Sequence, residues 1–162
     1  MPGRCDVDGF IRPLDYPMYV VTVAGGGERD GCLVGFTTQC GIDPVRFLVC
    51  LSTANRTYRI ARSARLLAVH LLGAGQHELA ALFGEQTADE TDKLGRCAWQ
   101  PGPDGVPLLD ACPHRLVGEI LDRLDLGDHH GFLLRPVEAR AGLAEPPLMF
   151  AAVRDLQAGH PA

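Results

Sequence analysis

The sequence predicts a mainly β fold, arranged as a barrel with two or three short helices inserted between strands. Short apolar or β-branched runs of strand length recur along most of the 162 residues. Turn residues connect most of these runs directly, whereas an α/β fold needs a crossover helix between successive parallel strands. Helical patterns occur only in the middle of the chain, between residues 55 and 90.

The N-terminal strands come first in this prediction. A strand over residues 16–23 ends in four β-branched residues. Residues 24–31 are rich in glycine, which adopts positive φ without steric cost, so we expect a turn there. A second strand over 32–40 completes a hairpin, and the apolar run 47–52 predicts a strand buried on both faces.

The helices follow in the middle of the chain. Asn55 is a good N-cap, because its side-chain oxygen accepts hydrogen bonds from amides of the next turn. A buried strand is predicted over 66–72, and residues 76–83 have apolar side chains at helical spacing. Residues 87–90 have the spacing of a capping box, which predicts a further short helix.

The C-terminal part returns to β structure. Trp99 is followed by a dense turn signal over residues 101–105. Residues 148–156 predict an edge strand. Between them the apolar pattern predicts short strands over 108–109, 115–124 and 132–139.

Composition sets limits on the class of protein. The chain is 46% hydrophobic and 22% charged, as in a single globular domain, which we expect over residues 16–156 between a lead-in (1–15) and a tail (157–162). A net charge of −5 argues against a dedicated nucleic-acid binder. We find neither a signal-peptide pattern nor an apolar run of roughly 20 residues. We therefore expect a cytoplasmic protein with no membrane or nucleic-acid partner.

The six cysteines are predicted to be buried free thiols. They form no CxxC pair and stand at no zinc-ligand spacing from a histidine. Several lie in apolar strands, where a reduced cysteine packs as a small hydrophobe. His129 and His130 are adjacent and point to opposite faces of an extended chain, so no metal site is predicted.

Residues 52–57 are the first candidate binding segment. They follow a buried strand and open a helix, where free amides and a partial positive charge attract anions. Ser52 and Thr57 add hydroxyls, and Arg56 adds a guanidinium suited to phosphate. Plain capping of the helix by Asn55 explains the same pattern and remains the alternative.

Two further segments carry candidate residues. Consecutive polar residues from Thr37 to Gln39 place polar groups on both faces of a strand, so that strand is either an exposed edge or the support of a ligand. His129 opens a strand and is either a surface residue or a proton donor, since imidazole titrates near neutrality. Patterns for a serine nucleophile, a P-loop or a dinucleotide fingerprint are absent from the sequence.

Taken in order, these segments resemble the flavin reductase-like family of FMN-binding split barrels. The resemblance runs from Tyr16 to Phe150, and His70 stands where that family usually has asparagine. The motifs that carry it are Tyr-Val-Val-Thr at 19–22, Gly-Phe-Thr-Thr-Gln-Cys at 35–40, Ile-Asp-Pro at 42–44, Val-Cys-Leu at 49–51, Asn-Arg-Thr at 55–57, Leu-Ala-Val-His-Leu-Leu at 67–72, the helix 76–83, Asp-Lys at 92–93, Trp99, Gly-Val-Pro-Leu at 105–108 and Gly-Asp-His at 127–129.

The resemblance implies a Greek-key split β-barrel that forms a homodimer, with FMN or FAD near the interface. It implies hydride transfer from NADH or NADPH to the flavin, and reduced flavin passing to a partner monooxygenase. The cofactor would supply the chemistry while the protein orients two rings.

The resemblance also implies roles for individual residues. His129 would be the catalytic residue beside the flavin ring, and Phe150 would cover the flavin. Lys93 would add a cation. The ring would be bordered by Thr37, Thr38, Gln39 and Cys40, and the phosphate would be held by Ser52, Asn55, Arg56 and Thr57.

Two other functions remain open from the sequence. One is a non-catalytic module of the same fold that holds flavin or haem for sensing or storage. The other is a structural dimer with an empty pocket. Turnover of NADH or NADPH distinguishes the enzyme from both.

Overall fold

The computed structural model describes residues 3–85 and 92–156. These residues form three short helices: α1 (Val7–Ile11), α2 (Arg56–Ala61) and α3 (His77–Glu85). They also form nine strands: β1 (Tyr19–Gly25), β2 (Glu28–Val34), β3 (Thr37–Ile42), β4 (Val45–Ser52), β5 (Leu66–Leu71), β6 (Trp99–Pro101), β7 (Pro107–Leu109), β8 (Arg115–Asp125) and β9 (His129–Arg140).

Seven of these strands make one antiparallel sheet in the order β2-β1-β5-β8-β9-β4-β3, and β6 pairs with β7 separately. The predicted mainly β class with short helices is therefore confirmed. Barrel closure is not: β2 and β3 are the two edges, and no ladder joins them in the described part of the chain. The sheet is open.

The opening lies where the chain passes from β2 to β3. The predicted strand over 32–40 is wrong as one element, because Gly35 and Phe36 interrupt it. The Phe36 carbonyl accepts a hydrogen bond from the Cys50 amide of β4 (2.9 Å), and the Thr37 amide donates back to the Gly35 carbonyl (3.0 Å). The predicted glycine-rich turn is confirmed in shorter form, with Gly26 and Gly27 at positive φ between β1 and β2.

Three hydrophobic clusters pack on the sheet, and the two larger ones lie on opposite faces of β1. Val21 packs in the first core with residues of β4, β5 and β9, and its neighbour Val20 packs in the second core with α3 and the C-terminal segment. Strand β5 is buried on both faces, as predicted. The same prediction for β4 is wrong, because Val49 and Leu51 are buried while alternate residues are only half-buried.

Helix α2 begins as predicted. The Asn55 side chain accepts a hydrogen bond from the Thr57 amide at 3.1 Å. At its other end, the Arg123 guanidinium donates to the carbonyls of Ala61 (3.2 Å) and Ala64 (2.6 Å). Helix α3 covers the predicted helix 76–83 closely, while the predicted helix over 87–90 lies outside the described residues.

The predicted edge strand over 148–156 is wrong. The segment makes isolated bridges, Pro17 to Met149 and Gly73 to Pro147, and then a short 3₁₀ turn over Phe150–Val153. The backbone enters this 3₁₀ turn directly after the bridge at Met149, so the pairing does not continue as a ladder.

All six cysteines are free thiols, as predicted. Burial raises the pKa of Cys32 to about 12 and that of Cys112 to about 11, so both stay protonated. The expected burial is wrong for Cys5 and Cys40, which are exposed, because neither lies in an apolar strand. In the described residues, no helix is long and apolar enough to cross a membrane.

Candidate functional site

An open cleft of about 270 Å³ lies at the break in the sheet. One side is the end of β2 and the connection to β3, up to Phe36. The other side is Cys50 and Ser52 of β4, together with His129 of β9. Phe83 and Gly84 of α3 and Phe150 of the C-terminal segment complete the lining. The cleft therefore lies between the end of edge strand β2 and the strands β4 and β9.

Aromatic rings form one wall of the cleft. Tyr16 and Phe150 stack with ring centroids 4.8 Å apart and planes 15° apart. Phe36 lies 6.0 Å from Tyr16 and 5.2 Å from the His129 ring. Burial raises the pKa of the Tyr16 phenol, so the phenol remains neutral at neutral pH. Flat apolar faces of this kind suit a planar ring system.

The other end of the cleft is polar. Ser52 and His129 are direct cross-strand partners between β4 and β9, which brings their side chains to the same face. Asn55, at the start of α2, lies beside them in the lining. His129 Nδ1 lies 2.8 Å from an oxygen of Asp128. Because a carboxylate can only accept, Nδ1 carries the proton and Nε2 is left for a ligand.

The cleft thus brings together four of the residues singled out from the sequence: Ser52, Asn55, His129 and Phe150. Arg56, the residue after Asn55, lines a second pocket instead and forms an ion pair with Glu28 at 3.1 Å.

Thr57 and Lys93 are buried. The Thr57 hydroxyl donates to a carboxylate oxygen of Asp30 at 2.9 Å. Lys93 Nζ donates to the carbonyls of Gly31 (3.1 Å) and Phe83 (3.4 Å). Both side chains therefore bond to the protein rather than face the cleft, and their assignment to a phosphate remains a prediction.

The four residues predicted to border the ring lie on edge strand β3, next to Phe36. Thr38, Gln39 and Cys40 are exposed, and the first two bond to nearby carbonyls. Thr37 differs, because its hydroxyl oxygen is buried and has no hydrogen-bond partner among the described residues. An unpaired buried hydroxyl costs about 1–3 kcal/mol, which a polar atom of a ligand or a partner would recover.

Tyr16 and Phe36 line the cleft but were not predicted to be site residues. Phe36 could have been recognised from the sequence, because a large aromatic residue between Gly35 and a polar run does not fit a core pattern. In the structure Phe36 is 52% exposed. Tyr16 had none, because its stacking on Phe150 joins distant parts of the chain.

The residues present fit a flavin. The stacked aromatic wall matches a planar ring system, and the hydroxyl, capped helix start and imidazole match its polar and anionic parts. The unpaired Thr37 hydroxyl lies on β3 next to Phe36 but is not in the lining of the cleft. We find no group of three metal-ligating side chains in the ranges 3–85 and 92–156.

Two relatives among known proteins are named as a reductase component and an oxidoreductase. The chain is 32% identical to the reductase component of the 4-nitrophenol 4-monooxygenase/4-nitrocatechol 2-monooxygenase of Rhodococcus opacus over 127 residues, 78% of this chain and 66% of that protein. It is 30% identical to the NADH:riboflavin 5'-phosphate oxidoreductase of Streptomyces pristinaespiralis over 142 residues, 86% of this chain and 80% of that protein.

A solved structure extends the likeness to the fold. The NADH:FAD oxidoreductase of Streptomyces globisporus C-1027 superposes with a TM-score of 0.78 at 26% identity, covering 87% of this chain and 84% of that one. The family described as flavin reductase like domain matches residues 11–158. Because that match spans most of the sequence, the chain belongs to the flavin reductase-like family.

Proposed function

We propose that this protein is a flavin reductase that uses NADH or NADPH and holds FMN or FAD in the cleft at the break of the sheet. The observation that carries the proposal is the cleft itself, which joins a stacked aromatic wall to a polar end at the start of α2. The relatives named above act with NADH on riboflavin 5'-phosphate or FAD, which supports both flavins as candidates.

A bound flavin supplies the redox chemistry, namely acceptance of a hydride from the nicotinamide. The protein holds the rings and excludes water. Tyr16, Phe36 and Phe150 pack against the flat faces. Ser52 and Asn55 take the phosphate end with the free amides of α2. Arg56 joins them if its side chain leaves Glu28.

His129 is the proposed catalytic residue. The Asp128 carboxylate fixes its tautomer, so Nε2 is available to exchange a proton or a hydrogen bond with the flavin ring. In this proposal Thr37 hydrogen-bonds the ring edge, and Thr38, Gln39 and Cys40 border it from β3. Thr57 and Lys93 support the phosphate end indirectly, through Asp30 and the carbonyls of Gly31 and Phe83.

We further propose a homodimer with the split-barrel arrangement of the family. Leu121, Leu124 and Leu126, on β8 and the turn after it, are 44%, 40% and 52% exposed. Side chains of this size are usually covered, so these supply the apolar surface that a second copy would bury. Sedimentation of the wild type and of Leu126→Asp tests this: we expect a dimer and a shift to monomer. A monomeric wild type contradicts it.

The reduced flavin is proposed to pass to a separate monooxygenase. This part of the proposal is supported by the Rhodococcus opacus relative, which is named as the reductase component of such a system. We also propose that the enzyme works in the cytoplasm, since six free thiols suit a reducing compartment. The domain boundaries 16–156 remain a prediction.

The proposal is tested by absorbance spectroscopy of the purified protein with FMN and with FAD. We expect a shifted flavin band that bleaches when NADH or NADPH is added without oxygen. Phe150→Ala should weaken flavin binding by about tenfold, because stacking on an aromatic ring contributes about 0.5–1.5 kcal/mol beyond burial. Phe10→Ala, an exposed phenylalanine of α1, is the matched control.

The other outcomes are informative. A shifted band that does not bleach with either nucleotide overturns the reductase and favours the non-catalytic binding module. A flavin spectrum identical to that of free flavin removes FMN and FAD as ligands, and a haem titration then tests the remaining binding function.

A further inference from the structure

Another pocket, which we call the distal pocket, has a volume of about 300 Å³ and shares no lining residue with the cleft. Strand β9 leads from one to the other: His129 lines the cleft, and Ala139 lines the distal pocket. Ten residues of an extended strand span about 33 Å. The distal pocket also lies beside Arg115 at the start of β8, whereas Leu126 of the proposed dimer surface follows the end of that strand. A ligand there would therefore leave both the cleft and this surface free.

Apolar side chains of several strands form the body of the distal pocket. Tyr19 of β1 and Phe47 of β4 supply its aromatic rings. Strand β5 contributes Val69 and Leu71, and β8 contributes Leu116. Strands β5, β8 and β9 lie between β1 and β4 in the sheet, so the sheet must curl to bring Tyr19 and Phe47 to one pocket. An apolar site of this size suits a molecule with one or two rings.

The polar side chains of the lining are hydrogen-bond donors. The Gly142 amide donates to Nδ1 of His114 at 3.0 Å, so Nδ1 carries no proton and the N–H of Nε2 is left as a donor. Burial raises the pKa of the Tyr19 phenol, which therefore stays protonated at neutral pH. Among the residues that the structure describes, no carboxylate lines this pocket. The lining therefore favours a ligand that carries acceptors.

Two arginines of the lining add positive charge at the rim. Arg115 and Arg140 are direct cross-strand partners at the start of β8 and the end of β9. Like charges placed opposite each other are destabilising. Neither guanidinium has an ion-pair partner within residues 3–85 and 92–156. An anion at the rim would relieve this repulsion, and a guanidinium binds a carboxylate through two parallel hydrogen bonds.

We propose that the distal pocket binds a small aromatic carboxylate of one or two rings. The ring packs against Tyr19 and Phe47, and the carboxylate accepts hydrogen bonds from Nε2 of His114 and from the Arg140 guanidinium. This site goes beyond the proposed function, because it assigns a second ligand to the end of the sheet away from the cleft.

The first experiment tests the chemical class of the ligand. Calorimetry compares 2-naphthoate with 2-naphthalenemethanol, its neutral analogue. We expect 2-naphthoate to bind at one site per chain and at least about tenfold more tightly, because only the carboxylate pairs with a guanidinium. Arg140→Gln should weaken 2-naphthoate binding about tenfold and leave the alcohol within about twofold. Arg62→Gln, at an exposed arginine outside the pocket, should bind both like the wild type.

The second experiment locates the ligand. Ala139 is an exposed residue of the lining, so Ala139→Trp fills the pocket without disturbing the core and should abolish 2-naphthoate binding at an unchanged Tm. Phe150→Ala, in the cleft, should leave the affinity for 2-naphthoate within about twofold of the wild type. Saturation with FMN should also leave that affinity unchanged.

The carboxylate site is overturned if 2-naphthoate gives no heat of binding, or if the acid and the alcohol bind equally to the wild type. Binding that survives Ala139→Trp, or that Phe150→Ala or FMN abolishes, also overturns it, because the ligand then lies elsewhere. Failure of the proposed function is a different result: FMN is then not bound or not reduced, while the 2-naphthoate titrations of the variants keep their meaning.

Discussion

Two parts of the same sheet differ in how much of their surface is buried. β1, β2 and β5, which we call the covered part, have cores on both faces and are buried along most of their length. β3, β4, β8 and β9, the open part, are only partly buried, and long stretches of β3, β8 and β9 are exposed. The difference predicts that substitutions in the covered part destabilise the monomer more than substitutions at the exposed stretches of the open part.

The largest expected effect tests that division directly. Leu67→Ala removes a fully buried side chain from β5 and should destabilise the protein by about 2–5 kcal/mol, because it leaves a cavity in the core. Ile42→Ala, an exposed residue of β3 in the open part, should stay within about 0.5 kcal/mol. Urea unfolding of both variants in the monomeric Leu126→Asp background measures the two effects. Equal losses would mean that the two parts support the monomer alike.

The buried His70 in β5 gives the covered part a pH dependence. Burial lowers the pKa of this imidazole to about 4. Nδ1 donates to the Val20 carbonyl (3.0 Å), and Nε2 accepts from the Leu109 amide (3.1 Å), which requires the neutral ring. Because the unfolded state takes up a proton first, stability should be constant above about pH 6.5 and fall by about 1.4 kcal/mol per pH unit from there towards pH 4.

Unfolding of the wild type and of His70→Asn between pH 7 and pH 4 measures this contribution as the difference between the two curves. Asparagine carries one donor and one acceptor and does not titrate in this range. A difference that stays flat across this interval would show that His70 is not buried neutral in the folded protein.

The next effect compares the stability lost when a buried threonine hydroxyl is removed with that lost when an exposed one is removed. Thr57→Val breaks the bond to the buried Asp30 carboxylate and should cost about 1–3 kcal/mol. Thr53→Val breaks an exposed bond to the Asp128 carbonyl and should cost less than about 0.5 kcal/mol. FMN affinity should change little in folded Thr57→Val, because the hydroxyl bonds to Asp30 rather than facing the cleft. A tenfold loss of affinity would instead indicate direct contact with the phosphate.

The smallest effect concerns Asn55, which caps helix α2. Asn55→Ala removes the cap of α2 and should destabilise the protein by about 1 kcal/mol. Because Asn55 lines the cleft, FMN affinity should fall as well. Asp6→Ala, which removes the side-chain cap of α1, is the control and should leave FMN affinity unchanged. Loss of flavin binding in both variants would assign the effect to stability rather than to the site.

Local chemistry made much of the fold predictable. The glycine turn before β2, the Asn55 cap and the doubly buried β5 each follow from a few adjacent residues. The break at Gly35 and Phe36 was not predictable in this way, because it depends on a hydrogen bond to Cys50 in another strand. Non-local contacts of the same kind place residues 148–150 against Tyr16 and Leu72 instead of extending a ladder.

The residues that line the candidate site were largely predictable, but the directions of several nearby side chains were not. Ser52, Asn55, His129 and Phe150 converge on the cleft, as the resemblance implies. The directions of the side chains at 56 and 57 could not be predicted from their spacing. Arg56 turns away from the cleft to pair with Glu28, and Thr57 points into the protein towards Asp30. The bulge between Gln39 and Gly41, which shifts the register of β3, was likewise not predictable from spacing.

The bulge in β3 affects how readily the protein aggregates during expression and storage. An open sheet leaves two edges on which strands of other chains can add, the first step of aggregation. The irregular ladder of β3 interrupts the regular row of donors and acceptors, and β2 begins with the charged residues Glu28 and Arg29. The chain can therefore keep its sheet open at the cleft and still resist growth into fibrils.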